Sequence, residues 1–171
     1  MNDTITQHVA GLAGEIQRRA VLIPFKAIGD RFSSQSLNTA GLRIKGGSAS
    51  AIVQTNAAYL GIANNRLVKV ASGVDLPALV GTVANATFNV FCFFIDQAGT
   101  TTTLIGTAGA SLALVKFPTP PEGKAMIGFV QVNPTGTGGF VGGTTVLDDA
   151  TVIPNAVFCN TLGAFDPTIS L

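Results

Sequence analysis

Thr87 to Asp96 reads TFNVFCFFID, and this stretch decides the fold. Successive side chains on a strand point to opposite faces. Phe88, Val90, Cys92 and Phe94 therefore share one face, and Phe91, Phe93 and Ile95 share the other. Both faces are apolar. Antiparallel sheets usually leave one face wet, so this strand is expected in the middle of a domain or at a subunit interface. Asp96-Gln97-Ala98-Gly99 supplies a hairpin turn. Thr100 to Gly106 is the return strand, and its threonines place it nearer an edge.

Outward from this hairpin the chain stays β in character. Downstream, FPTPPEGKAMIGFVQVNPTGTGGFVGGTTVLDD spans Phe117 to Asp149. Gly109 to Phe117 reads as a short helix or a strand, and because Pro118, Pro120 and Pro121 force extended backbone just after it, a helical turn is favoured. Ala125 to Val132 is a strand. A Gly/Thr-rich turn then leads to Phe140-Val141 and Thr144 to Leu147, read together as strand, hairpin, strand. Thr151 to Val157 is a further strand, demoted to an edge by Pro154. Upstream, Leu42-Arg43-Ile44-Lys45 alternates as a half-buried strand does. Ala51 to Gln54, Ala58 to Ile62 and Leu67 to Val70 follow, with a turn at Ala63-Asn64-Asn65 because asparagine tolerates left-handed backbone. Leu79 to Val83 is ambiguous. Short strands with turn signals between them argue for a sandwich or barrel. The expected fold is all-β: an antiparallel β-sandwich or barrel-like domain over 42–171, with an N-terminal arm and linker over 1–41.

The arm has a different pattern. Ile5, Val9, Leu12 and Ile16 form one stripe of a helix, although Gly11 and Gly14 weaken it. So marginal a helix must lie on something, either a neighbouring chain or its own domain. AVLIPF, residues 20–25, is expected as an edge strand or extended crossing segment, and Gly29 to Gly41 as loop.

Composition narrows the function classes. The 171 residues are 47% hydrophobic and only 11% charged, with formal net charge +1. An ordinary chain is about 25% charged, so part of this surface is expected to be covered by other subunits. No basic stripe marks a nucleic-acid binder. No apolar run approaches a membrane span. The N-terminus has no basic-then-apolar signal pattern, so synthesis in the cytosol is expected. Cys92 and Cys159 read as free thiols in apolar company.

Chemistry is hard to assemble from these residues. His8 is the only histidine, and no carboxylate stands near it in sequence to orient it as a base. One histidine and two distant cysteines make a poor zinc set. Asp148-Asp149 would face opposite ways on a strand, and in a turn they form a polar loop or at most a calcium ligand pair without an EF-hand pattern. Gly138-Gly139 and Gly142-Gly143 lack the Gly-Lys-Ser/Thr of a phosphate loop and read as hairpin punctuation. No enzyme activity, cofactor or metal is expected.

Five motifs in order resemble small structural proteins of tailed-bacteriophage virions. They are F-x-V-F-x-F-x-x-D-x-A-G-T from Phe88, T-A-G-A-S-L-A from Thr107, P-E-G-K-A-x-I-G-F from Pro121, F-V-G-G-T-T-x-L-D from Phe140, and G-A-F-D-P from Gly163. The resemblance covers roughly 42–167 and implies a head decoration, or cement, protein on the outside of the capsid. Its implied partners are copies of itself in a homotrimer and the major capsid protein, with no nucleic acid and no membrane. Ile5, Val9, Leu12, Ile16, Phe91, Phe93 and Phe140 are the expected oligomer or capsid contacts. The alternative is a tail-fibre or head-fibre adhesion module for host glycans, which the absence of Trp and the single Tyr59 disfavour.

Overall fold

A computed structural model describes residues 14–20, 22, 28–29 and 32–167. The fold is all-β and every strand pairing is antiparallel. The strands are β1 (Gln35–Ser36), β2 (Leu42–Ile44), β3 (Val53–Thr55), β4 (Tyr59–Ala63), β5 (Arg66–Val70), β6 (Thr82–Val83), β7 (Asn89–Ile95), β8 (Thr101–Ile105), β9 (Ala125–Val132), β10 (Phe140–Val141) and β11 (Val157–Asn160). They form a four-stranded sheet in the order β11-β9-β7-β8, a three-stranded sheet β1-β4-β5, and the pairs β2-β3 and β10-β6.

β7 is the strand read from TFNVFCFFID, and every one of its residues is buried. Of the two placements left open by its sequence, it takes the middle of the domain. Phe91, Phe93 and Ile95 enter the main core, shared with Ile127 of β9 and with Leu42, Val53, Tyr59, Val68, Leu79, Val83, Phe140, Leu147 and Ile153 from the smaller sheets and loops. Val90, Cys92 and Phe94 enter a second core with Val115, Phe117, Met126 and Phe129. The second core is roofed by an irregular segment, not by a sheet. That segment contains the 3-10 turn Leu112–Leu114, where a helical turn was expected. A buried Phe contributes about 1.5–3 kcal/mol, so the phenylalanines on the two faces of this sheet are a large part of what holds the domain together.

The turns follow their residues. Asn64 and Asn65 both take positive φ, 48° and 62°, as a two-residue turn closing a twisted hairpin requires. The Asp96 carboxylate accepts the N–H groups of Ala98 and Thr100, fixing the turn from β7 to β8. Thr-rich β8 lies at the sheet edge. Of the ambiguous Leu79 to Val83, only Thr82–Val83 is strand, as β6.

Several expectations are corrected. β9 and β10 do not form a hairpin. β9 is already paired on both sides, by β7 and β11, while β10 pairs with β6. The intervening loop bonds Thr151 and Val152 instead, through the N–H groups of Thr137 and Gly136. Thr144 to Leu147 is turn, not strand, held by Thr145 Oγ1 accepting the Val141 N–H. Thr151 to Val157 is mostly turn as well. Its strand starts only after Pro154, as β11, which is an edge strand as Pro154 implied.

Gly29 to Gly41 was expected as loop, yet it contains β1, which pairs with β4. Ser36 also exchanges both backbone bonds with Gly163. Residues 14–20 are helical, with an Arg19–Glu15 ion pair of 3.0 Å one turn apart. Within AVLIPF, Ala20 and Leu22 are helical and the remainder lies outside the described residues.

Candidate functional site

Of the expected contact residues, Ile5, Val9 and Leu12 lie outside the described residues. Ile16 is 65% exposed, and all of residues 14–20 are exposed, so the domain of the same chain does not cover this helix. Phe91, Phe93 and Phe140 have no exposed surface at all. This corrects their assignment as oligomer or capsid contacts. Phe91 and Phe140 meet edge to face at 5.5 Å inside the main core, and no partner chain can reach them. Their abundance signalled burial, and alternation alone does not tell which cover a face receives.

The domain surface nearest the arm gathers three turns. Asn65 N–H bonds the Ser33 carbonyl at 2.9 Å, and Asn64 N–H bonds Ser34 Oγ at 3.1 Å. Asn64 Nδ2 donates to Gln97 Oε1 at 3.1 Å, and Gly123 packs beside the Asn64 side chain. The arm thus leaves the domain where the β4–β5 turn, the β7–β8 turn and the entry to β9 converge.

A cleft of about 310 Å³ opens beside the second core, lined by Phe117, Phe129, Asn160, Thr161, Leu162, Ala164, Phe165 and Asp166. Phe117 meets Phe129 at 5.0 Å and Phe165 at 4.9 Å, both edge to face. Leu162 is 69% exposed at the rim. The cleft has the small size of a ligand pocket, at the bottom of the usual range of about 300–1,000 Å³. Its aromatic floor with an amide and a carboxylate at the edge can hold an apolar side chain or the apolar face of a sugar ring. In the sequence Phe165 stood out only as part of the G-A-F-D-P motif. The signal missed there was the clustering of Asn160, Thr161 and Leu162 with that ring, which depends on β11 ending where it does.

The two cysteines flank this region without meeting. Cys92 and Cys159 are each directly opposite Phe129, from β7 and from β11. Two strand spacings of about 4.7–4.9 Å separate them, beyond the roughly 7 Å limit between the Cα atoms of a disulfide. Both are free thiols, and burial pushes both above the ordinary thiol range.

A buried polar knot ties the sheets together. Ser36 Oγ and Thr161 Oγ1 both donate to the Met126 carbonyl, and Ser36 Oγ lies 2.8 Å from Tyr59 Oη. The Met126 carbonyl is available because β9 bulges here. Phe93 pairs with Gly128 and the next residue, Phe94, pairs with Met126. With the Ser36 proton committed to Met126, Tyr59 must be the donor to Ser36. Burial raises the Tyr59 phenol above its ordinary value, and its chemistry is that of a structural hydroxyl.

The acidic pair serves loops. Both oxygens of Asp148 accept the Ala49 N–H at 3.0 Å, and Asp149 Oδ1 accepts from the N–H and hydroxyl of Thr151, which lowers its carboxyl below the usual range. Gly142 lies against the Leu79 carbonyl, 2.8 Å from where a Cβ would be, so its glycine is explained by close backbone approach. Among the described residues no group of three or more His, Cys, Asp or Glu is placed to hold a metal. No described helix is long and apolar enough to cross a membrane. His8 lies outside the described residues.

Comparison with protein-family models, with curated proteins and with solved structures gives no match.

Proposed function

We propose that this chain is a structural virion protein that decorates the outer capsid shell and cements it, as a homotrimer bridging major capsid subunits. The observation that carries the proposal is the exposed helix at 14–20, with Ile16 uncovered by its own domain. A clamp needs a rigid body and a reaching element, and this chain has both. The rigid body is a β domain with two cores, and the exposed helix is the reaching element. The five motifs that resemble decoration proteins fall largely on β7, β9, β10 and the turns beside them. Their likeness is therefore one of fold-bearing segments. A protein of this kind stabilises by mass action, because it binds the assembled shell and not free subunits. The test is to heat shells with and without the purified chain, and with a chain lacking residues 1–20. Protection by the full chain that is lost on deletion supports the proposal. Shells equally stable in all three conditions refute it.

A second reading rests on the cleft. Phe165 beside Asn160 and Asp166 provides the aromatic face and polar rim that a glycan adhesion module needs. Saturable binding on a glycan array, lost in Phe165→Ala, would favour this reading over decoration.

A further inference from the structure

β11 is an edge strand, and among the described residues no strand pairs with its outer side. Its register on β9 pairs Val157 with Gln131 and Cys159 with Phe129, and just past the strand the Thr161 N–H bonds the Ile127 carbonyl. Bonded pairs alternate along an antiparallel ladder. Residues 157, 159 and 161 therefore turn their backbone groups toward β9, and Phe158 and Asn160 turn theirs away. Among the described residues no backbone bond reaches the outward groups of Phe158 or Asn160. Leu42 N–H approaches, but it bonds the Asn160 side chain at 3.1 Å and leaves the backbone alone.

Open edges are normally blunted by charge, especially lysine. This one is not. From Ala150 to Phe165 the chain has no charged side chain. Val157 on the strand is 46% exposed and Leu162 just beyond it is 69% exposed. Nothing on the edge repels an identical edge.

We propose that β11 pairs antiparallel with β11 of a second copy across a two-fold axis, continuing the four-stranded sheet from one copy into the next. The second copy is favoured because the edge is self-complementary. One symmetric register lets Phe158 of each copy exchange both bonds with Asn160 of the other, so every outward group of the strand is used. Registers centred on residue 158 or 160 leave some of them to residues outside β11. The favoured register places Cys159 opposite Cys159 of the other copy in a non-bonded pair. Such pairs have Cα atoms about 4.5 Å apart, at the lower end of the range of about 4.4–6.8 Å that a disulfide spans. Closed two-fold contacts are the commonest way identical chains associate. The contact is independent of the decoration reading: it joins two copies wherever they are placed.

The test uses the full chain. Sedimentation is measured over a range of concentrations, amide exchange is followed at the same concentrations, and the sample is then oxidised with diamide and the linked peptides are mapped. The expected result is a concentration-dependent doubling in mass, from one chain to two or, where the chains already stand as trimers, from three to six. The Phe158 and Asn160 amides should exchange about tenfold or more slowly once most chains are paired. A Cys159–Cys159 disulfide should form and be missing in Cys159→Ser. A monomer at every concentration overturns the proposal. So does a cross-link with unchanged amide exchange, which is the mark of chance collision. Slowed exchange without the Cys159 cross-link overturns the register, and an oligomer that leaves both amides unprotected overturns the surface.

Discussion

Replacing Ser36 with alanine should destabilise the domain more than removing the hydroxyl of its partner Tyr59. Tyr59 has no exposed surface and Ser36 is 2% exposed, so water cannot substitute for either. The Tyr59 hydroxyl donates to Ser36 Oγ across 2.8 Å. In Ser36→Ala that phenol becomes a buried donor without an acceptor, a loss of about 1–3 kcal/mol. The Met126 carbonyl keeps its bond from Thr161, so the bulge itself stays satisfied. In Tyr59→Phe, Ser36 still donates to Met126, and only one ordinary hydrogen bond is lost, about 0.5–1.5 kcal/mol. The double variant removes both partners and should cost less than the two single losses combined, with a coupling of about 1 kcal/mol. Urea unfolding monitored by circular dichroism measures this, provided that the midpoint moves and the slope does not. If Tyr59→Phe costs more than Ser36→Ala, or the two losses add, the proton assignment in the knot is wrong.

Three further outcomes are expected. Gly61→Ala should lower stability by about 1–3 kcal/mol, because a Cβ there would intrude on the Tyr59 ring folded over it; the urea midpoint reads it. Asp75 should titrate below the ordinary aspartate range, because Lys45 hydrogen-bonds its carboxylate and Gln54 adds a second bond. Its contribution to stability is thus present above the unfolded-state pKa and is lost as pH falls through the lower folded value; in Lys45→Met its carboxyl resonance should titrate at higher pH, and no movement would refute the pairing. Iodoacetamide should label Cys159 well before Cys92, which has no exposed surface, and peptide mass mapping distinguishes the two.

Local pattern carried much of the fold. TFNVFCFFID announced a strand buried on both sides, and Asn64-Asn65 announced its turn, because alternation and left-handed backbone are properties of a few adjacent residues. Partner choice is not. Ala125 to Val132, a glycine-rich turn and Phe140-Val141 look locally like a hairpin. β9 finds its partners far away in sequence, in Val90 and in Phe158, and leaves β10 to β6. β1 is two residues without periodicity, held by a serine whose hydroxyl answers a carbonyl freed by a bulge in β9. Nothing in Gln35-Ser36 signals that. The contact residues divided the same way. Ile16 lies exposed on a helix, as its stripe allowed, whereas Phe91, Phe93 and Phe140 were apolar because they fill the interior. The cleft escaped notice because Phe117, Phe129 and Phe165 converge only after the chain has crossed the sheet.

The bridge between Ser36 and Gly163 brings the beginning and end of the β domain side by side. A domain whose first and last bridged segments are neighbours tolerates circular permutation. Residues 36 and 163 can be joined through a short linker and new termini opened at the exposed turn around Gly73, where an added Cβ would meet no other atom. The native order of the strands is then one of several in which the same two cores could be assembled.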